Sequence, residues 1–416
     1  MKTIYKISLL SFLLSIVTVD AGYSQAKTYD FPKPVDTTTR SIKLQERRTF
    51  EISPNLYADN QFRGARLNNV SVDNGIIEAY IEPENAPINA SPWYAFRLWS
   101  VDSTETRTVK ISYAEDYKHR YWPKLSDNGD TWIEADSSDV KVAEDTSYVE
   151  IRLTIPMDTI WIAAQPIVDS KDVYNWCENL AKNRLVDYKI IGKSTGGRDI
   201  PFMMISNGKE KKKKVVVLLS RQHPPEVTGF FALQAFLDEI LKDSELSKNF
   251  LDDYVLLVYP ILNPDGVDEG HWRHNLGGID LNRDWAYYHQ KETREVADHI
   301  VETVKKIKGK VVLGLDFHST WYDVYYTPAR DLDIVNVDFT DKWLNYIKGK
   351  IPGYDPRDEP SGITQPVSKG WFVTQFGANG ITYEIGDSTP KEFIKEKSEI
   401  AADGMMMILL DPDKFK

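Results

Sequence analysis

Between about residues 28 and 165, apolar and polar positions alternate. Val109, Ile111 and Tyr113 are separated by Lys110 and Ser112, and Val149, Ile151, Leu153 and Ile155 by Glu150, Arg152 and Thr154. A period of two puts the apolar side chains on one face of a strand and the polar ones on the other, so this part of the chain predicts half-buried antiparallel strands. Pro83, Pro87 and Asn128-Gly129 punctuate the segments, which fits a β-sandwich. The texture changes beyond Pro166. Short unbroken apolar runs at 215–219, 255–258 and 311–315 alternate there with helical periodicity at 227–241 and 292–307. Strands that are apolar throughout are buried on both faces, so the expected fold class is α/β, a sheet covered by helices on both sides. In such sheets the chemistry collects beyond the strand ends.

The N-terminus follows neither pattern. Lys2 and Lys6 precede an apolar run at 7–19 that is interrupted only by Ser8, Ser11, Ser15 and Thr18, and Val19-Asp20-Ala21 or Ser24-Gln25-Ala26 offers the small residues of a cleavage site. This predicts a secretory signal peptide, since the run falls short of the ~20 residues of a spanning helix. The expected organisation is a signal peptide at 1–26, a β-sandwich at 27–166 and a catalytic domain at 167–416. The mature chain would be exported, periplasmic or secreted, with no membrane span. Cys177 is the only cysteine, so no internal disulfide can form, and it lies too far along the chain for lipid attachment near the cleavage site. A formal charge of −11 argues against general affinity for nucleic acid. The composition leaves the oligomeric state open.

Chemistry is concentrated at four places in the second half. Ser220-Arg-Gln-His-Pro-Pro-Glu226 follows an apolar strand, and its consecutive prolines exclude a helix, so His223 and Glu226 sit on a stiff loop. Ligands held before the ion arrives lose less entropy on binding it. The strand at 311–315 runs on through Asp316 and Phe317 to His318, and a similar strand end carries Glu384 in Gly380-Ile-Thr-Tyr-Glu384-Ile-Gly386. Two histidines and one carboxylate with a position left for water form the ligand set of a catalytic zinc, and Glu384 could take a proton from that water without being a ligand. The fourth place is the stretch from Asn263-Pro-Asp-Gly266 through Arg273 to Asp280-Leu-Asn282-Arg283. A guanidinium beside an amide suits paired hydrogen bonds to a terminal carboxylate, and Arg273 adds a second fixed positive charge.

This order of motifs resembles that of the zinc metallocarboxypeptidases. "HPPE" and "NPDGVDEGHWRHNLGGIDLNRDW" are similar to the versions found in the cytosolic carboxypeptidase branch. Upstream, "SPWYAFRLWS", "YWPKLSDNG" and "TIWIAAQPIVDS" resemble the β-sandwich that this branch carries before its catalytic domain. The resemblance implies that the catalytic α/β domain has a mixed central sheet flanked by helices, and that it holds one zinc ion per chain, bound by His223, Glu226 and His318, with Glu384 as general base on the zinc-held water and Arg273 stabilising the oxyanion. It implies that Asn282 and Arg283 hold the terminal carboxylate of a peptide or protein and that Asp280 accepts the free ring N–H of His223. Lys369 falls where the side-chain pocket residue is expected, which would favour an acidic terminal residue.

The resemblance has two gaps. The branch is named for cytosolic enzymes, whereas this chain carries an export signal, so its substrate is not inherited. The tyrosine that some members place over the substrate has no assignable position, and Tyr322, Tyr325 and Tyr326 fit core or loop. Competing functions are an exported amidase or carboxypeptidase acting on cell-wall stem peptides, and a non-catalytic peptide-binding protein. The dense aromatics of the first domain, among them Trp93, Trp99, Tyr121, Trp122 and Trp132, read as sandwich core.

Overall fold

A computed structural model of the protein describes residues 25–415. The apolar run at 7–19 and the first cleavage motif lie outside the described residues. The alternating segments form two packed sheets. One has six strands, in the order Thr49–Ser53, Leu56–Asp59, Ala95–Ser100, Ile160–Ala163, Lys124–Ser126 and Ile133–Glu134. The other has five: Asn69–Asp73, Ile76–Ile81, Glu105–Tyr113, Tyr148–Ile155 and Val140–Val142. In the second sheet Ile151 pairs with Val109 and Val149 with Ile111, and all four are buried, as the period-two pattern predicts. Pairing within both sheets is antiparallel except that Ile76–Ile81 runs parallel to Glu105–Tyr113. Trp93 and Tyr121 lie in the sandwich core, while Trp99, Trp122 and Trp132 are half-buried.

Residues 25–48 contribute no strand until Thr49. The stretch to Arg40 runs instead along the second half of the chain, while Lys43, Gln45 and Arg48 bond to the sandwich. Ala26 packs in the core beside Trp285 and Tyr288, the Lys33 N–H donates to the Thr364 carbonyl at 2.8 Å, and the Arg40 N–H donates to the Gly277 carbonyl at 2.8 Å. The start of the expected sandwich domain therefore lies against the catalytic part.

The second half is built on an eight-stranded mixed sheet. Its order is Val186–Lys193, Asp199–Ile205, Tyr254–Tyr259, Lys214–Ser220, Lys310–Thr320, Asn379–Gly386, Val324–Pro328 and Asp358–Ser361. The four central strands are parallel, the strands joining them on either side, Asp199–Ile205 and Val324–Pro328, are antiparallel to their inner neighbours, and the edge strand Asp358–Ser361 runs parallel to Val324–Pro328. The apolar run at 215–219 is divided between two cores. Val216 and Leu218 face the helices Val227–Ile240 and Lys391–Leu410, while Val215, Val217 and Leu219 face Lys291–Ile307 and Ser368–Phe376. Burial on both faces removes the need for a polar face, so the alternation disappears in these strands.

Candidate metal centre and active-site cleft

The loop after Lys214–Ser220 is held in shape by its own polar residues. Arg221 adopts a left-handed backbone with φ 52°, and its buried guanidinium donates to the Pro224 carbonyl at 2.9 Å and to the Val168 carbonyl at 3.2 Å. The Gln222 amide donates to Asp316 at 2.5 Å and accepts from the Trp285 indole at 2.9 Å. Glu226 is the residue before the helix Val227–Ile240. That helix presses on the strand carrying His318, because a Cβ on Gly229 would come within 2.6 Å of the His318 carbonyl oxygen. Glycine is therefore required where helix and strand backbones meet.

His223, Glu226 and His318 converge as a buried group with atoms suited to hold a metal ion. Nδ1 of His223 lies 2.7 Å from Glu226 Oε1, Nδ1 of His318 lies 2.6 Å from Oε2, and the two ring nitrogens are 3.2 Å apart. Two nitrogens bound to one zinc at tetrahedral angles would stand about 3.3 Å apart, so the donor set fits that ion. The far nitrogens of both rings meet carboxylates: His223 Nε2 is 2.8 Å from Asp280 Oδ1, and His318 Nε2 is 2.8 Å from Asp316 Oδ2. Each carboxylate fixes its ring so that Nδ1 faces the shared point. Burial alone would raise the Glu226 carboxyl, but His223 and His318 more than offset it and hold the group well below its ordinary range.

Glu384 stands directly opposite His318 in the pairing of neighbouring parallel strands. Its Oε2 is buried without a hydrogen-bond partner among the described residues, and burial, reinforced by the charge of Glu226, pushes the carboxyl up to about 8. A dication between the two glutamates would draw Glu384 back toward its ionised form.

The other expected residues line the same cleft, which has a volume of about 380 Å³ and is bordered by His223, Glu226, Arg273, Asn282, Arg283, Lys369 and Glu384 among others. Arg273 donates from Nε to Asp280 Oδ2 at 2.7 Å, so a single aspartate links this arginine to a metal-site histidine. Asn282 and Arg283 lie in the short 3-10 turn Leu281–Arg283, where Asn282 Oδ1 accepts the Ser368 N–H at 2.9 Å and Arg283 bonds the Asn282 carbonyl at 2.7 Å. Lys369 is buried at the start of Ser368–Phe376, with its ammonium 3.1 Å from the Thr327 carbonyl and 2.5 Å from the Ser361 hydroxyl. Among the described residues no carboxylate forms an ion pair with Lys369. Burial brings its ammonium down to about 8.

The tyrosines separate. Tyr325 is wholly buried in the core, Tyr322 is exposed, and Tyr326 borders the cleft. Two kinds of residue escaped the sequence reading. Asp316 is one, although its i, i+2 spacing from His318 places both on one face of the strand. The sandwich's contribution to the cleft wall, Asn89, Ala90 and Arg120, is the other. Arg120 pairs with Asp387 at 2.7 Å and lies 5.1 Å from the Trp321 ring centre, a long-range packing that leaves no local signal in the sequence.

Comparison with known proteins agrees with this geometry. The zinc carboxypeptidase family matches residues 173–404, more than half of the chain. Cytosolic carboxypeptidase 2 of Xenopus tropicalis is 35% identical over 145 residues, which make up 34% of this chain and 14% of that protein. The chain thus spans only a small part of that relative's length. An uncharacterised protein of Zymomonas mobilis is 22% identical over 345 residues, 78% of this chain and 86% of its own. Among solved structures, the metallo-carboxypeptidase of Burkholderia cenocepacia superposes with a TM-score of 0.70 at 17% identity, covering 85% of this chain and 98% of its own. That of Pseudomonas aeruginosa superposes at 0.67 and 16%, with the same coverage. The family match covers more than half of the chain, including the candidate metal-binding group, Asp280, Asp316, Arg273 and Arg283, and on that ground the chain belongs to the zinc carboxypeptidase family.

Proposed function

We propose that this protein is a zinc-dependent carboxypeptidase that removes C-terminal residues from peptides or proteins outside the cytoplasm. The observation that carries the reading is that Asn282, Arg283 and Arg273 share one cleft with the His223–Glu226–His318 group and with Glu384. A metal-activated hydrolase without chain-end specificity would not need fixed cations on that side of its base.

His223, Glu226 and His318 would hold one zinc ion, whose Lewis acidity favours loss of a proton from water and polarises the scissile carbonyl. Glu384, beside His318, accepts the proton of the attacking water and returns it to the leaving amine. Arg273, its guanidinium aligned by Asp280, donates to the negative charge that develops on the carbonyl oxygen. Asn282 and Arg283 hold the substrate's terminal carboxylate, placing the last peptide bond at the base. Lys369, which forms no ion pair with a carboxylate among the described residues, meets the terminal side chain and favours an acidic one.

The test compares peptides with free and amidated C-termini. Hydrogen bonds to charged groups contribute roughly 1.5 to 3 kcal/mol each, so losing two of them should lower wild-type kcat/KM on the amide by on the order of a hundredfold or more. Arg283→Ala should show a similar loss on the free acid and little further loss on the amide. Glu384→Gln should retain binding and lose turnover on the free acid. Equal wild-type cleavage of acid and amide overturns the reading, and preferential release of stem-peptide fragments from purified cell wall would redirect it to the amidase alternative.

A further inference from the structure

We propose that Glu84, a residue of the β-sandwich, positions Arg273 for the reaction, so that the first domain is part of the catalytic apparatus. The inference rests on the role given to Arg273 above. Arg273 sits in an irregular segment with no helix or strand to hold it. Three successive backbone N–H groups of that segment converge on the Glu84 carboxylate: those of Arg273 and His274 reach Oε1 at 3.1 and 2.7 Å, and that of Trp272 reaches Oε2 at 2.8 Å. Such a run of N–H groups is an anion-binding concavity, and here the anion is a side chain from the other domain.

Glu84 is fully buried. Arg66 stands 3.6 Å away, beyond hydrogen-bond distance, so among the described residues the carboxylate's hydrogen bonds go to the segment. Neighbouring contacts act in the same direction. The Trp272 indole donates to the Trp93 carbonyl at 2.9 Å, Asn85 Oδ1 is 2.6 Å from His274 Nδ1, and the Asn85 amide donates to the Gly278 carbonyl at 3.1 Å. Trp272 itself packs in the sandwich core. The metal-site residues make none of these contacts: His223, Glu226 and His318 are placed by the ends of the catalytic sheet and the helix behind it, with Asp280 and Asp316 orienting the two rings. Arg273 is thus held from two sides: its backbone by the sandwich through Glu84, and its guanidinium by Asp280. Losing the backbone hold should misplace the guanidinium without disturbing the metal group.

Glu84→Gln removes the charge and turns one acceptor oxygen into a donor facing an N–H. Full-length Glu84→Gln, Arg273→Ala and the double variant are compared for kcat, KM, zinc content and hydrogen exchange of amides 272–274. Glu84→Gln should lower kcat about ten- to a hundredfold, less than the hundred- to thousandfold typical of removing such a donor outright. KM should change less than about threefold, zinc should stay at the wild-type level, and amides 272–274 should exchange faster. In the Arg273→Ala background, Glu84→Gln should cost less than about threefold more, since coupled residues are not additive. Equal losses in both backgrounds, or loss of zinc in step with activity, would show a general structural role and overturn the proposal. If Arg273→Ala is impaired and Glu84→Gln is not, only this inference fails; wild-type turnover in Arg273→Ala removes the role of Arg273 and the inference with it. Should Glu84→Gln fail to fold, Asn85→Ala decides: faster exchange at 272–274 with a several-fold lower kcat supports the proposal, and no change in either overturns it.

Discussion

Asp280→Asn tests whether one carboxylate serves both the metal site and the arginine. Oδ1 of Asp280 accepts from His223 Nε2 and from the Asn282 N–H, each at 2.8 Å, while Oδ2 accepts from Arg273 Nε at 2.7 Å and has Arg283 Nη1 at 3.8 Å. Burial alone would raise this carboxyl, but Arg273, His223 and Arg283 hold it well below its ordinary value, so it is charged throughout the working pH range. Asparagine retains a single oxygen. Turned toward His223 and the Asn282 N–H it preserves two bonds, so the amide NH2 should face Arg273, and the guanidinium loses its charged partner. One charge-assisted bond contributes about 1.5 to 3 kcal/mol, which converts to roughly ten- to a hundredfold in kcat. Removing the negative charge behind His223 also makes its ring a weaker donor to metal, with a loss of about 10- to 100-fold in zinc affinity. Turnover at saturating zinc isolates the first effect, and a competition titration with a chelator isolates the second. If both quantities remain within about twofold of wild type, Asp280 does not support either group and the linkage drawn here is wrong.

His318→Ala should remove most of the roughly one zinc per chain expected of the native protein, because two remaining protein ligands provide neither the charge nor the geometry of three; metal analysis showing full occupancy would refute the ligand assignment. Lys369 is brought by burial to about 8, so its charge is present below that pH and lost above it. The preference for terminal glutamate over glutamine, measured as a kcat/KM ratio, should therefore fall about tenfold from pH 7 to pH 9, and Lys369→Met should abolish both the preference and its pH dependence. Ala26 is buried and the Gln25 N–H donates to Asp298 at 2.5 Å, so cleavage after Ala26 would strip contacts from the catalytic core. Mass spectrometry of exported protein should find a start near Gly22 rather than Lys27, and an intact chain in the membrane fraction would contradict the signal-peptide reading.

Within the chain, period and local chemistry determined a great deal. Alternation at 109–113 and 149–155 specified half-buried strands because one face of each meets water. Unbroken runs at 215–219 and 311–315 specified strands covered on both sides, and residues at their ends were the natural place to look for chemistry. His223 and Glu226 were legible as a pair because two prolines make their loop stiff whatever surrounds it. Asp316 was within reach on the same grounds, being two residues before His318 on one strand face. What the sequence could not determine is which distant segments share a wall. The placing of His318 opposite Glu384 depends on strand pairing, and the joining of His223 to Arg273 through Asp280 depends on a loop folding back across the sheet. The approach of Arg120 and Glu84 from the sandwich depends on packing between two domains. Those contacts arise from burial of surfaces far apart in the chain, and burial is non-directional and leaves no periodic trace at the residues it brings together. Local patterns therefore pointed to the His223, Glu226 and His318 group, while tertiary packing decided how the arginines are placed beside it.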